Sequence, residues 1–187
     1  MNTRNAVVIY ESMYGNTHRI AEAIGRGLGF AGAVTVVPVA QTTREMLDEA
    51  DLVVVGGPTH VHGMSRPSTR KAAVDDAEKH PGKFVLDTDH EGPGVRGWLA
   101  ALDRRPAPKA AAFDTRFAGP AMVTGQAARG IAKGLRRSGA TLVARPESFF
   151  VTKGTVLRAG EEERAEEWGW QLARSAYADA QRGTALV

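Results

Sequence analysis

Six consecutive residues, Ser12-Met13-Tyr14-Gly15-Asn16-Thr17, bring three hydroxyls, one side-chain amide and a glycine together. They follow the apolar run Ala6-Val7-Val8-Ile9-Tyr10 and open a stretch with helical spacing. Where a strand passes into a helix, unpaired backbone N–H groups and the positive end of the helix dipole converge on one point, and hydroxyls add further donors. Gly15 permits close approach of the backbone. The hexad holds no lysine, whereas a loop for a nucleoside triphosphate carries Gly-x-x-x-x-Gly-Lys. Amides and hydroxyls alone suit a single terminal phosphate that undergoes no reaction at phosphorus. The same residues equally suit a plain capped turn, because Ser and Thr are common helix caps.

Two later loops offer groups that could hold the rest of a ligand. Gly57-Pro58-Thr59-His60-Val61-His62-Gly63-Met64-Ser65 follows the apolar run Leu52-Val53-Val54-Val55-Gly56. Its proline and glycines set turns, and its backbone groups can hydrogen-bond a heterocycle. A histidine beside such a ring could donate a proton; His60 is the better placed candidate, and His62 reads as a surface residue. Two histidines without a carboxylate or thiolate companion fall short of the three or four ligands a metal site requires. Asp114-Thr115-Arg116-Phe117-Ala118-Gly119 follows the run Ala110-Ala111-Ala112-Phe113. There Phe117 could stack on a ring and Arg116 could stabilise an anionic one or pair with Asp114, while Asp114 and Thr115 could as well cap the turn.

These loops need a scaffold, and the pattern between them supplies one. The three apolar runs are continuous rather than alternating, as expected for parallel strands covered on both faces. Val34 to Val39 and Ala140 to Val143 add two strands. Helical spacing runs over Thr17 to Leu28, Thr43 to Ala50, Val95 to Leu102, Gln126 to Arg137 with Gly139 as its C-cap, and Glu161 to about Ala180. Glu161, Glu162 and Glu163 favour the start of the last helix. Alternation of strands and helices implies an α/β fold with a doubly wound five-stranded parallel sheet, ordered 2-1-3-4-5, whose crevice opens at the carboxyl ends of strands 1 and 3. The whole chain, 1–187, reads as a single domain with an elaboration around 80–108, where Lys83 to Asp87 suits a short strand or an extended stretch.

Composition narrows the class further. The 187 residues are 43% hydrophobic and 24% charged, ordinary for a globular protein. There is no cysteine, so neither a disulfide nor a thiolate centre is available. The net charge of +3 lacks the dense basic stripe that nucleic-acid binding demands. No apolar run approaches a membrane span, and the start of the chain does not read as a secretory signal, so the expected location is cytoplasmic.

The segment Val8-Ile9-Tyr10-Glu11-Ser12-Met13-Tyr14-Gly15-Asn16-Thr17-His18-Arg19-Ile20-Ala21-Glu22-Ala23-Ile24 resembles the flavodoxin signature along its whole length. Its aliphatic pair, aromatic, hydroxyl residue, glycine, threonine and helical alanine all fall in place. The resemblance implies a flavodoxin-like three-layer sandwich that binds flavin mononucleotide (FMN) and carries electrons to or from a redox partner protein or a small-molecule donor or acceptor. It implies that Ser12 to Thr17 hold the phosphate, and that Pro58, Thr59, His60, Gly63, Asp114, Thr115, Arg116 and Phe117 surround the ring. Tyr14 stands where flavodoxins usually have threonine. Ser12-Met13-Tyr14-Gly15 is closer to the quinone reductases named for tryptophan-repressor binding, which makes an FMN-dependent NAD(P)H:quinone oxidoreductase the second expectation. A third, a module that has lost flavin, follows from the absence of Trp and Tyr in both ring loops. Trp98 could cover the site from outside or belong to the core, and Trp168 and Trp170 read as packing and interface residues. The oligomeric state is left open.

Overall fold

Strand β1 (Asn5–Tyr10) is buried along nearly its whole length, and its two sides serve different layers. Ala6, Val8 and Tyr10 enter one core while Val7 and Ile9 enter the other, as the two-residue period of a strand demands. Strands β3 (Leu52–His60) and β5 (Lys109–Phe117) repeat the division. Leu52, Val54, Ala111 and Phe113 lie on the first side; Val53, Val55, Ala110 and Ala112 lie on the second. Burial on both faces is why these runs show no polar alternation. The computed structural model describes residues 4–82, 84–88, 90, 92–103, 109–152 and 154–182.

The sheet runs β2-β1-β3-β5-β6, with β2 at Ala33–Pro38 and β6 at Thr141–Leu142, all parallel. Strand β7 (Glu147–Val151) also lies parallel to β5, beyond β6, so β6 and β7 are two lengths of one edge strand. Pro146 falls in the gap, where a residue without an N–H interrupts the ladder. A two-residue strand, β4 (Gly63–Met64), turns back antiparallel on the end of β3. The expected 2-1-3-4-5 order is therefore present, but as seven strands rather than five. Lys83 lies outside the described residues, and Phe84 to Asp87 form no strand.

Helices α1 (Asn16–Gly29) and α7 (Glu161–Arg182) cover the first face. Helices α2 (Arg44–Glu49), α4 (Val95–Ala101) and α6 (Ala127–Arg137) cover the second. Trp98 packs into this second layer, and therefore does not lie over the ligand crevice. Gly139 stands just past α6 at φ 102, with Gly139 N–H bonded to Arg136 and Ala140 N–H to Leu135, which completes a Schellman cap. Helix α3 (Pro67–Lys79), absent from the sequence reading, gives no residue to either core layer. The short α5 (Ala121–Thr124) follows β5. No helix among the described residues is long and apolar enough to cross a membrane.

The position of α1 is set by a glycine-to-backbone crossing with α7. A Cβ on Gly27 would fall 2.0 Å from the carbonyl oxygen of Glu166, and one on Gly169 would fall 2.3 Å from that of Ile24. Neither obstacle is a side chain that can turn aside. Gly169→Ala should therefore lower stability by about 2 kcal/mol or more. Gly97→Ala, in α4 with no atom within 4 Å, should raise it by roughly 0.5–1 kcal/mol. Urea unfolding of the two variants checks the pair; equal effects would refute the crossing as the constraint.

Candidate functional site

The chain leaves β1 through Glu11, whose buried carboxylate holds two outlying segments. Its Oε1 accepts from the Ser65 hydroxyl and its Oε2 accepts from Val95 N at 2.8 Å, at the start of α4. The next residues turn sharply. Ser12 Oγ accepts from Gly15 N at 3.1 Å, and Gly15 adopts φ 80, a left-handed conformation open to glycine. Helix α1 starts directly after it, with Arg19 N bonded to Gly15 O as its first helical turn. The amides of Asn16, Thr17 and His18 thus have no acceptor within the helix and form the donor end of α1.

The hydroxyls of the hexad are spent differently from the sequence expectation. Tyr14 turns its hydroxyl to the carbonyl of Ala73 in α3 at 3.2 Å, and its ring lies 5.5 Å from that of Phe84. Burial, with the Asp76 carboxylate nearby, pushes the Tyr14 phenol above its ordinary pKa. Asn16 Nδ2 donates to Thr155 O at 2.6 Å, which fastens the loop after β7. Thr17 and Thr115 share a buried 2.7 Å hydrogen bond between their hydroxyls, joining the first turn of α1 to β5.

The crevice at the carboxyl ends of β1, β3 and β5 encloses about 510 Å³. Thr17, Thr59 and Thr115 contribute hydroxyls to its lining, and Met13, Pro58, Val61 and Ala73 contribute apolar surface. That size and mixture fit a cofactor-sized ligand. Of the expected residues, Met13, Tyr14, Asn16, Thr17, Pro58, Thr59, His60, Thr115, Arg116 and Phe117 line it together. Ser12, Gly15, Gly63 and Asp114 do not. Thr69, Ala72, Ala73 and Asp76 of α3 form a wall that sequence reasoning did not include.

Asp114 and Arg116 belong to β5 itself, because the strand runs on to Phe117. Asp114 is fully buried; its Oδ2 accepts from Ala128 N at 2.8 Å and from Thr59 Oγ1 at 3.0 Å. Thr59 Oγ1 in turn accepts from Ala127 N at 2.8 Å. The two strand residues therefore cap α6, whose own N-cap side chain, Gln126, makes no capping bond. Burial pushes the Asp114 carboxyl above its ordinary pKa, against the pull of Ala128 N–H, the Ser148 and Thr59 hydroxyls and Arg116. Arg116 gathers the loop after β5, donating to Gly119 O at 2.9 Å and Thr124 Oγ1 at 2.6 Å, over the ring of Phe150. Phe117 remains 47% exposed at the rim.

Residues 8–94 match the flavodoxin family model. This segment, which runs from β1 to the start of α4, is similar to the flavodoxin family. Among solved structures, a flavodoxin from the domain Archaea is 20% identical with a TM-score of 0.62, the match covering 92% of this chain and 98% of that one. Oxidised flavodoxin 1 from Bacillus cereus is 18% identical with a TM-score of 0.61, covering 91% and 97%. A flavodiiron core from Synechocystis gives 18% and 0.61, with 95% of this chain spanning 37% of that one. At such identities these structures speak for the shared fold. No curated protein matches the chain by sequence.

Flavodoxin-family proteins bind FMN, and the donor set here fits that group. Gly15 allows the backbone turn, the first-turn amides of α1 supply anion donors, and the crevice beside them has both hydroxyls and apolar walls. An acidic group also abuts this turn. Asp87 Oδ2 lies 3.4 Å from His18 Nδ1 and 4.0 Å from where a Gly15 Cβ would be, and Asp87 N bonds to Met13 O at 2.8 Å.

His60 stands in the crevice wall, followed by a hairpin whose turn residues Val61 and His62 both have positive φ, 44 and 70. That turn normally calls for Asn or Gly, and a β-branched residue in it is strained. Burial lowers the His60 pKa; the Glu11 carboxylate opposes this, and Arg70 adds to it. The folded imidazole thus stays neutral where the unfolded chain takes up a proton. Stability should be present above the ordinary imidazole value of 6.5 and be lost as pH falls through the lower folded value. An NMR titration of the His60 ring should give a midpoint below 6.5, and His60→Gln should flatten the acid-side loss of stability. A midpoint at or above the ordinary value would contradict this.

Proposed function

We propose that this chain is an FMN-binding electron-transfer protein of the flavodoxin type, with the phosphate at the start of α1 and the ring in the crevice bounded by β1, β3, β5 and α3. The observation that carries this reading is the junction at Gly15. A left-handed glycine opens a helix whose first turn is tied to β5 through Thr17 and Thr115, beside a crevice of suitable size. When bound, FMN supplies one- or two-electron transfer through its isoalloxazine ring. The chain's residues bind and orient it. The amides of Asn16, Thr17 and His18 face the phosphate, Met13 and Pro58 give the ring apolar contact, and Phe117 lies at the open edge. His60 offers a neutral imidazole that can exchange a proton at a ring nitrogen. Arg116 is held by the loop carbonyls, so it shapes the site more than it contacts the ligand.

The quinone-reductase reading rests on Tyr14 and on the Pro58-Thr59 loop. The Tyr14 hydroxyl is bonded to the α3 backbone, which supports a strut between the phosphate turn and the crevice wall. That observation favours the electron carrier. Turnover of NADPH with a quinone above the rate of free FMN would reverse the preference.

FMN should bind at micromolar concentration or tighter, read from quenching of its fluorescence. Failure to bind there would overturn the reading. Asp87 adds a test specific to this chain, because its carboxylate repels a phosphate at the same turn. Asp87→Asn should tighten FMN binding by roughly fivefold, the effect of about 1 kcal/mol from one nearby charge. Weaker or unchanged binding would place the phosphate elsewhere.

A further inference from the structure

Helix α7 presents a face that neither core layer nor the crevice uses. Its exposed positions include Glu163, Glu167, Trp170, Arg174 and Ala178. Steps of three and four residues place them in one stripe along the helix. From its N-terminal end the stripe reads acidic, acidic, aromatic, basic. Trp170 is 38% exposed, and Phe30, at the end of α1, is 78% exposed. These two aromatic residues border one groove with Glu163, Glu166 and Glu167, and a second groove with Arg4, Arg174 and Tyr177. The Arg174 guanidinium lies 4.7 Å from the centre of the Trp170 ring, and Gln171 Nε2 donates to Glu167 Oε1 at 3.0 Å. An apolar ridge thus separates negative charge on one side from positive charge on the other.

A surface of this kind is complementary to itself after a half-turn. We propose that the face pairs two copies of this chain, α7 against α7 antiparallel, about a two-fold axis passing between Trp170 and Gln171. In that register Glu167 faces Arg174 of the second copy, and the two indoles meet at the axis. Glu167 and Arg174 lie equally far from it, each about 5 Å along the helix. Antiparallel pairing also sets opposite helix dipoles side by side. The charge pattern selects this occupant: a wholly acidic or wholly basic partner would be repelled by part of the stripe, whereas a second copy sets Glu167 against Arg174 on both sides of the axis.

The test is sedimentation velocity on the full chain and on charge-reversed variants, each shown to be folded by its circular dichroism. The wild-type chain should sediment at twice the chain mass below about 100 μM, the weak end of specific pairing. Glu167→Arg and Arg174→Glu should each shift it to monomer, because each brings like charges face to face. An equimolar mixture of the two variants should recover the dimer, since both cross-contacts are then of opposite sign. A monomeric wild type over this range, a dimer indifferent to both reversals, or a mixture no more associated than its components would each overturn the proposal.

Discussion

The start of helix α1 is held from three directions, and the crevice takes its form from that point. From below, β1 delivers the chain at the centre of the sheet, between β2 and β3. From the side, the buried Thr17 to Thr115 hydrogen bond ties the first turn to β5. From behind, Gly27 and Gly169 let α1 and α7 approach to backbone contact, so α1 can neither slide nor roll without collision. The sharp turn between strand and helix then requires the left-handed conformation of Gly15. A donor-rich helix end is thereby aimed at one place with little freedom left to it.

Much of the remaining polar chemistry holds the site's own parts together. Glu11 joins Ser65 and α4, Asp114 and Thr59 cap α6, Arg116 gathers the loop after β5, and Tyr14 braces α3. Hydrogen bonds made by these buried groups give the site rigid supports. What is left for a ligand is the set of helix amides, the remaining hydrogen-bonding capacity of the Thr17 and Thr115 hydroxyls and a mixed apolar wall. A division of this kind suits a protein whose reactivity resides in a bound cofactor.

The sheet and the tight turn after β1 were legible in the sequence because both are local. Five apolar runs and a hydroxyl-rich turn with glycine announce themselves within a few residues. Helix α3 was not, since Pro67 to Lys79 has no apolar stripe: only Ala73 and Ala77 are buried. Its start was marked, however, by Pro67 and by Thr69, whose hydroxyl bonds back to Arg66 N at 2.9 Å. The β7 strand escaped because Pro146 breaks the edge and Ala140 to Val143 already satisfied the count. The part played by Asp114 depends on Thr59 and Ala128, contacts that only the folded sheet creates.

The phosphate end of the crevice is where the FMN reading is decided. Comparing the binding of FMN with that of riboflavin isolates it, because the two share the ring and differ in the phosphate. FMN should bind at least tenfold more tightly, roughly 1.4 kcal/mol or more from the helix amides. Equal affinity for the two would contradict the claim that the turn from Ser12 to Thr17 is a phosphate site.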